Sequence, residues 1–291
     1  LTLTSLFWAC NVVLGRGIVG IVPPITLACL RWTLASLLLL PFAWPYLKRE
    51  AKILAAHRGT LLFLAIVGPA FYNSLSYLAL IWTSALNSLV LNAAGPMFIV
   101  LTAWALFGDR PRLEELAGIA AAFLGVLLII AKGDLLALAN FHFNPGDLLV
   151  IAGMLCWSVY TACLRLRPKV SWQSYNLVTY AIAAVANVPL AYIERSLGYS
   201  MTADWTTAGT IFYAAVFPSL VGYIFYNRAV ELLGPGPAGL YLFLVPVFGA
   251  SFAIALLGEE LHAFHAVGFA LIIGGVLIGS RSGIMAMRKP H

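Results

Sequence analysis

Asn73, Ser76 and Tyr77 have a counterpart 150 residues later in Tyr223, Tyr226 and Asn227. Spacing i, i+3, i+4 places each trio on one face of a helix. A second pair of positions, 149 residues apart, matches Trp8 with Trp157 and Asn11 with Tyr160. Two indoles and a phenol can stack an aromatic solute, while Asn and Tyr hold an amino or carboxylate group by hydrogen bonds. The same trios would also serve as hydrogen-bonded glue between helices, and the indoles as core packing. No nucleophile falls together with a base and an orienting group, so the pattern suits binding, not catalysis.

These residues lie in a very apolar chain, with 62% hydrophobic and 10% charged residues and a mean hydropathy of +0.94. Soluble domains carry roughly 25% charged residues, so composition alone places the protein in a bilayer. Apolar runs of helix-spanning length follow one another at about 2–20, 25–46, 60–82, 84–107, 113–132, 146–166, 172–194, 207–232, 236–257 and 263–281. They predict an all-α integral membrane protein of ten transmembrane helices, with no room for a soluble domain. The first run lacks a basic start and a cleavage pattern, which favours a spanning helix over a secretory leader. The four cysteines sit within apolar runs and are expected to pack as small hydrophobes.

The stretch Pro96 to Leu128 is echoed by Pro246 to Ile278. Without a gap the two share 11 of 33 positions, including the prolines and the pairs Gly108/Gly258, Gly118/Gly268 and Gly125/Gly275. The chain therefore reads as a duplication, 1–140 and 141–291. Five helices per copy is an odd number, so the second copy enters the membrane from the opposite side and the repeats are inverted, an architecture typical of secondary transporters. Lys and Arg fall 13 to three between alternate connections, which predicts that both termini are cytoplasmic. The formal charge of +6 is explained by these flanks without invoking nucleic acid.

Pro96 and Pro246 are expected midway along helices four and nine, freeing the carbonyls of Asn92 and Leu242; such breaks either border a pocket, with Asn92 and Ser88 beside the first, or act as hinges. Arg31 and Arg16 could attract a carboxylate, but snorkelling to the outer interface is the simpler expectation. Asp109 and Glu259 are expected to cap the helices that follow them. All eleven acidic residues and all five histidines fall at helix ends or in loops, so a buried proton relay is not expected and transport should be facilitative. Glu259, Glu260, His262 and His265 read as a solvated turn and not a metal site. No GxxxxGK loop supports ATP-driven pumping, and no cofactor is expected.

The segments WACNVVLGR and PPITLACLRW, Gly95-Pro96, and the helix ends GDR and GEE resemble the EamA-type branch of the drug/metabolite transporter superfamily, over nearly the whole chain. The family pattern is matched by Trp8 and Trp157, by Arg16 and Arg165 eight positions later, and by Asp109 and Glu259 closing the fourth helix of each copy; Asp109 stands where Glu is more usual. Within the family the chain is most similar to the YddG-type amino-acid exporters. The resemblance implies alternating-access export of aromatic and other neutral amino acids across a bacterial inner membrane. The binding residues expected from the matched positions and the proline breaks are Trp8, Asn11, Asn73, Tyr77, Asn92, Trp157, Tyr160, Tyr223, Tyr226 and Asn227, with Pro96 and Pro246 as hinges. The expected partners are a small-molecule substrate and the lipid bilayer, with no nucleic acid and no soluble protein. Alternatives are export of another small metabolite or drug, an intramembrane enzyme, and a receptor or scaffold.

Overall fold

The computed structural model describes residues 1–17, 20–79, 81–83, 91–134, 144–257 and 262–287, and its regular elements are all helical among them. In chain order they are α1 (Thr2–Gly17), α2 (Pro24–Ala56), α3 (Arg58–Ala79), α4 (Gly95–Phe107), α5 (Leu113–Ile130), α6 (Pro145–Leu166), α7 (Trp172–Ser196), α8 (Trp205–Leu233), α9 (residues 235–257) and α10 (Ala263–Met287). Eight helices are long and apolar enough to cross a bilayer; α1 and α4, at 16 and 13 described residues, are shorter. Turn chemistry sets the boundaries. Pro24, Pro145 and Pro235 open their helices, where a missing N–H costs nothing, and Gly108 closes α4 at φ 72°.

Three boundaries differ from expectation. Helix α2 continues through Pro41 and Pro45 to Ala56, about three turns beyond the apolar run, because its basic end stays helical and Glu50 finds a partner there. Pro96 does not sit midway along a helix: residues 91–93 are helical, Ala94 forms a turn, and Pro96 lies in the first turn of α4. Pro246 lies inside a helix, but the segment before it tightens to a 3-10 turn at Tyr241–Phe243, and the carbonyl of Tyr241 accepts a hydrogen bond from Ser5 at 2.7 Å.

Two features inside helices were not expected. Helix α3 widens into a π turn at Ile66–Tyr72, and α8 does the same at Ala215–Val221. Each contains a proline, Pro69 and Pro218, 149 positions apart. Proline lacks the N–H that closes an α turn and its ring crowds the carbonyl four residues back, so local widening relieves both.

Packing repeats itself between the halves. Helix α4 packs on α6 and α9 on α1; α3 packs on α6 and α7 while α8 packs on α1 and α2. Helices α5 and α10 meet along glycines: a Cβ on Gly118 would stand 2.5 Å from the Gly275 carbonyl, and one on Gly275 would stand 2.5 Å from the Gly118 carbonyl. Gly125 meets Gly268 in the same way, so the contact runs antiparallel with the backbones touching.

Helices α2 and α7 are fastened at both ends. The buried carboxylate of Glu194, in the last turn of α7, accepts from the N–H groups of Ile25 (3.0 Å) and Thr26 (2.8 Å) at the start of α2. Glu50, near the end of α2, accepts from the N–H and hydroxyl of Ser171, the N-cap of α7, each at 2.9 Å. Each acid thus meets the positive end of the opposite helix and takes up N–H groups that have no partner within it.

Glu194→Gln should cost about 1–2 kcal/mol through loss of this charged cap, read as a lower melting temperature of the purified protein. Gly118→Val should cost at least ~1–3 kcal/mol because its side chain meets backbone that cannot rotate away. Gly249→Val, with open space around it in α9, is the matched control and should not lower the melting temperature. Equal melting of Gly118→Val and wild type would show that the α5–α10 seam is looser than described.

Candidate functional site

The aromatic residues of α1, α2, α3, α6, α7 and α8 converge on one buried cluster. Trp8 meets Trp157 edge-on, with ring centroids 5.3 Å apart and planes at 87°. Tyr226 lies 5.3 Å from Trp8 and 4.9 Å from Trp157, and Tyr72 closes on Trp157 at 4.8 Å. Tyr223 is the hub, reaching Trp32 at 5.1 Å, Trp157 at 5.5 Å, Trp8 and Tyr160 at 6.1 Å, and Tyr180 at 6.2 Å. Small residues admit the rings: a Cβ on Gly68 would overlap Tyr160, and one on Gly222 would stand 2.9 Å from the Trp8 nitrogen.

The π turns orient the polar atoms of this cluster. Trp8 Nε1 donates to the Pro218 carbonyl at 3.0 Å, and Tyr180 Oη donates to the Ser219 carbonyl at 3.1 Å. In α3, Asn73 Nδ2 donates to the Pro69 carbonyl at 3.0 Å and to Tyr223 Oη at 2.9 Å. Asn73 and Tyr223 are the two members of a pair 150 positions apart, so the matched faces of the halves touch.

Two hydrogen-bonded groups extend from the rings. In the first, Asn11 and Tyr77 bond at 3.1–3.2 Å, and Tyr77 accepts from Arg31 Nη1 at 2.5 Å. Arg31 Nη1 also donates to Asn73 Oδ1 at 3.0 Å, and its Nε donates to Ser219 Oγ at 2.7 Å. In the second, Tyr160 donates to Asn227 at 2.8 Å, Asn227 donates to Asn176 at 3.2 Å, and Thr161 and Tyr226 share a hydrogen bond at 3.2 Å. Two members of the second group, Thr161 and Asn227, line a cavity of about 710 Å³ whose lining also includes Glu50, Arg165, Arg167 and Lys169.

Of the residues expected from sequence, Trp8, Asn11, Asn73, Tyr77, Trp157, Tyr160, Tyr223, Tyr226 and Asn227 are brought together. Asn92, half-buried just before α4, lies outside the ring and hydrogen-bond contacts given above. Ser76 turns back to its own helix, donating to the Tyr72 carbonyl. Arg31 overturns its expectation: it does not snorkel but is 1% exposed, held by α3 and α8 between the halves. Asp109 does not cap α5; it pairs with Arg165 of α6, and the turn before α5 is closed by Glu115 accepting from the Arg112 N–H. Ser88, Glu259 and Glu260 lie outside the described residues, as does the side chain of Arg16.

Sequence reasoning missed Trp32, Tyr72, Asn176, Tyr180 and Ser219. A usable signal existed for Tyr180, which stands 149 positions from Arg31, the offset that relates Trp8 to Trp157. Both reach the same residue, Ser219, one through its hydroxyl and the other through its carbonyl.

With this geometry the known proteins most informative for comparison are transporters. The chain is 27% identical to the uncharacterized transporter YyaM of Bacillus subtilis, over 98% of this chain and 93% of that protein. It is 26% identical to a probable terminal-alkyne amino-acid exporter of Streptantibioticus cattleyicolor, over 94% and 88% of the two chains. A probable amino-acid metabolite efflux pump of Salmonella typhimurium is 27% identical over 67% of each. A crystal structure at 20% identity superposes over 98% of this chain and 96% of its own with a TM-score of 0.76, which shows a shared fold. The EamA-like transporter family model matches residues 1–131 and 144–281. This multi-pass membrane protein therefore belongs to the EamA-like transporter family, whose members are transporters and not enzymes.

Proposed function

We propose that the protein exports neutral amino acids, aromatic ones foremost, across a bacterial inner membrane by alternating access, through two inverted five-helix repeats, residues 1–140 and 141–291. The observation that carries this reading is a pair of hydrogen bonds at matched positions. Asn11–Tyr77 joins α1 to α3, and Tyr160–Asn227 joins α6 to α8, with the Asn and Tyr exchanged between the halves. Both border the aromatic cluster, one on the Arg31 side and one where Asn227 lines the cavity. Two equivalent latches around one site are what alternate opening requires, since either can part while the other holds.

Further support comes from the reciprocal packing of the halves and from the antiparallel glycine contact of α5 with α10. The cavity is lined by Arg165, Arg167 and Lys169, on the side assigned to the cytoplasm by charge, together with both termini. Solute would enter there for export and meet Asn227 first. The rings around Tyr223 offer an aromatic side chain edge and face contacts. Two of the relatives carry names as probable exporters of amino acids or their metabolites. With the acidic side chains at helix ends, the transport cycle needs no dedicated proton site and the carrier is facilitative.

Proteoliposome flux of labelled phenylalanine and tryptophan tests the reading. Trp157→Ala, Tyr77→Ala and Asn227→Ala should each lower flux roughly 5- to 100-fold, the range set by losing one buried hydrogen-bonding or stacking partner. Unchanged flux in all three would remove these residues from the site, and absence of flux for any amino acid would assign the carrier to another metabolite. Flux should follow the amino-acid gradient and ignore an imposed pH gradient; uphill, pH-driven accumulation would overturn the facilitative cycle.

A further inference from the structure

Arg31 is a cation buried between helices without an acid. Its three hydrogen bonds go to neutral acceptors, the hydroxyl of Ser219, the amide oxygen of Asn73 and the phenol of Tyr77. Among the described residues, the other arginines with ionic partners, Arg165, Arg167 and Arg228, bond Asp109 or Glu231 near the helix ends. Ring faces supply part of the missing negative potential: the Arg31 guanidinium carbon stands 5.1 Å from the Trp32 ring centre and 5.7 Å from that of Tyr77. The count of guanidinium hydrogens still falls short. Nε and both hydrogens of Nη1 are used, and Nη2 donates to none of the described residues.

Two further donors in the same cluster are also poorly matched. The indole nitrogens of Trp32 and Trp157 are buried without a well-formed hydrogen bond, Trp157 having only a weak interaction with the Tyr226 hydroxyl. Trp157 differs here from its counterpart Trp8, whose N–H reaches the Pro218 carbonyl: the matching carbonyl, of Pro69, is already occupied by Asn73. Trp32 and Trp157 both pack on Tyr223, so the poorly matched donors surround the hub of the cluster. Leaving such donors unpaired is costly, and a buried guanidinium without an anion more so. The groups packed on Tyr223 leave a surplus of donors and positive charge; the Tyr175 hydroxyl, also buried without a partner in the same core, can donate or accept. A ligand that matches this surplus must bring oxygen acceptors and negative charge.

We propose that Arg31, with the indole N–H groups of Trp32 and Trp157, forms the anionic end of the transport site and binds the substrate's carboxylate. The substrate class is thereby narrowed to solutes carrying a free carboxylate, which the free Nη2 hydrogens can bond while Nε and Nη1 keep their partners. The proposal rests on the transport reading above and can fail separately from it.

Quenching of intrinsic tryptophan fluorescence in the purified protein distinguishes the cases, with phenylalanine, phenylalanine amide, 3-phenylpropionate and phenethylamine as probes. Wild type should bind the two carboxylates roughly 10- to 100-fold more tightly than the two compounds lacking one. Arg31→Gln should abolish that difference while leaving the amide and the amine unchanged, and Arg31→Lys should restore part of it. The wild-type comparison stands even if Arg31→Gln fails to fold. Equal wild-type affinity for acid and amide overturns the proposal, as does an equal loss for all four probes in Arg31→Gln, the mark of a cross-brace between helices. Binding of 3-phenylpropionate without phenylalanine would retire the amino-acid reading and keep the anchor, and no binding of either carboxylate would overturn the anchor.

Discussion

Two prolines in the middle of apolar helices set the terms for the rest of the structure. Water is absent from a bilayer core, so the carbonyls in and beside the two widened turns have to find donors within the protein, as that of Ala214, four residues before Pro218, does in Ser219 Oγ. The π turns at Ile66–Tyr72 and Ala215–Val221 are the backbone's part of that answer, and side chains supply the remainder: Asn73 for Pro69, Trp8 for Pro218, Tyr180 for Ser219. A side chain held in this way presents its other atoms in a fixed direction. Asn73 Oδ1 and Ser219 Oγ are both turned to Arg31, so the position of the buried cation depends on two distortions nearly 150 residues apart.

The remaining helices divide by the kind of contact they make. Along α5 and α10 the backbones touch at glycines, and between α2 and α7 a carboxylate closes each end. Contacts of that sort have one register, because sliding would drive Cα atoms into carbonyls or strand the N–H groups of a helix start. The helices around the rings are joined differently. Asn, Tyr and Thr side chains link α1, α3, α6 and α8, and such groups can exchange partners with a solute at modest cost. Rigid seams at the periphery and exchangeable bonds at the centre suit a protein that must open around a ligand without coming apart.

Much of this plan was legible from sequence. Apart from α2 and α10, which run on past their apolar stretches, the long helices fall within a few residues of their expected bounds, and the offsets of 149 and 150 selected nine residues that do meet. They meet because the matched positions face one another, Asn73 bonding Tyr223 and Trp8 packing edge-on against Trp157. The misses share another cause. Hydropathy registers that Arg31 is charged and near a helix end, but its burial depends on Ser219 and Asn73, which lie 188 and 42 residues away. Asp109 likewise looked like a cap because its partner, Arg165, is 56 positions distant. Proline marks a local disturbance, yet composition does not distinguish a kink, a π turn and a helix start: Pro246 follows a 3-10 tightening, Pro69, which is not among the expected breaks, lies in a π turn, and Pro96 lies in a first turn.

The departures from symmetry are as informative as the symmetry. The frame repeats, but Arg31 answers to Tyr180, Asn73 to Tyr223, and a satisfied Trp8 to a poorly satisfied Trp157. A strictly symmetric site would present the same groups from both sides and would suit a symmetric solute. An amino acid is not one: it carries an anionic end, a cationic end and a side chain. A guanidinium among residues 1–140 alone would give the proposed site a single pole for an anionic ligand, while Asn227, bonded to Tyr160, lines the cavity. In the proposed cycle a duplicated frame would supply the means of opening to either side, and the divergence of these few residues the polarity needed to hold a solute in one orientation.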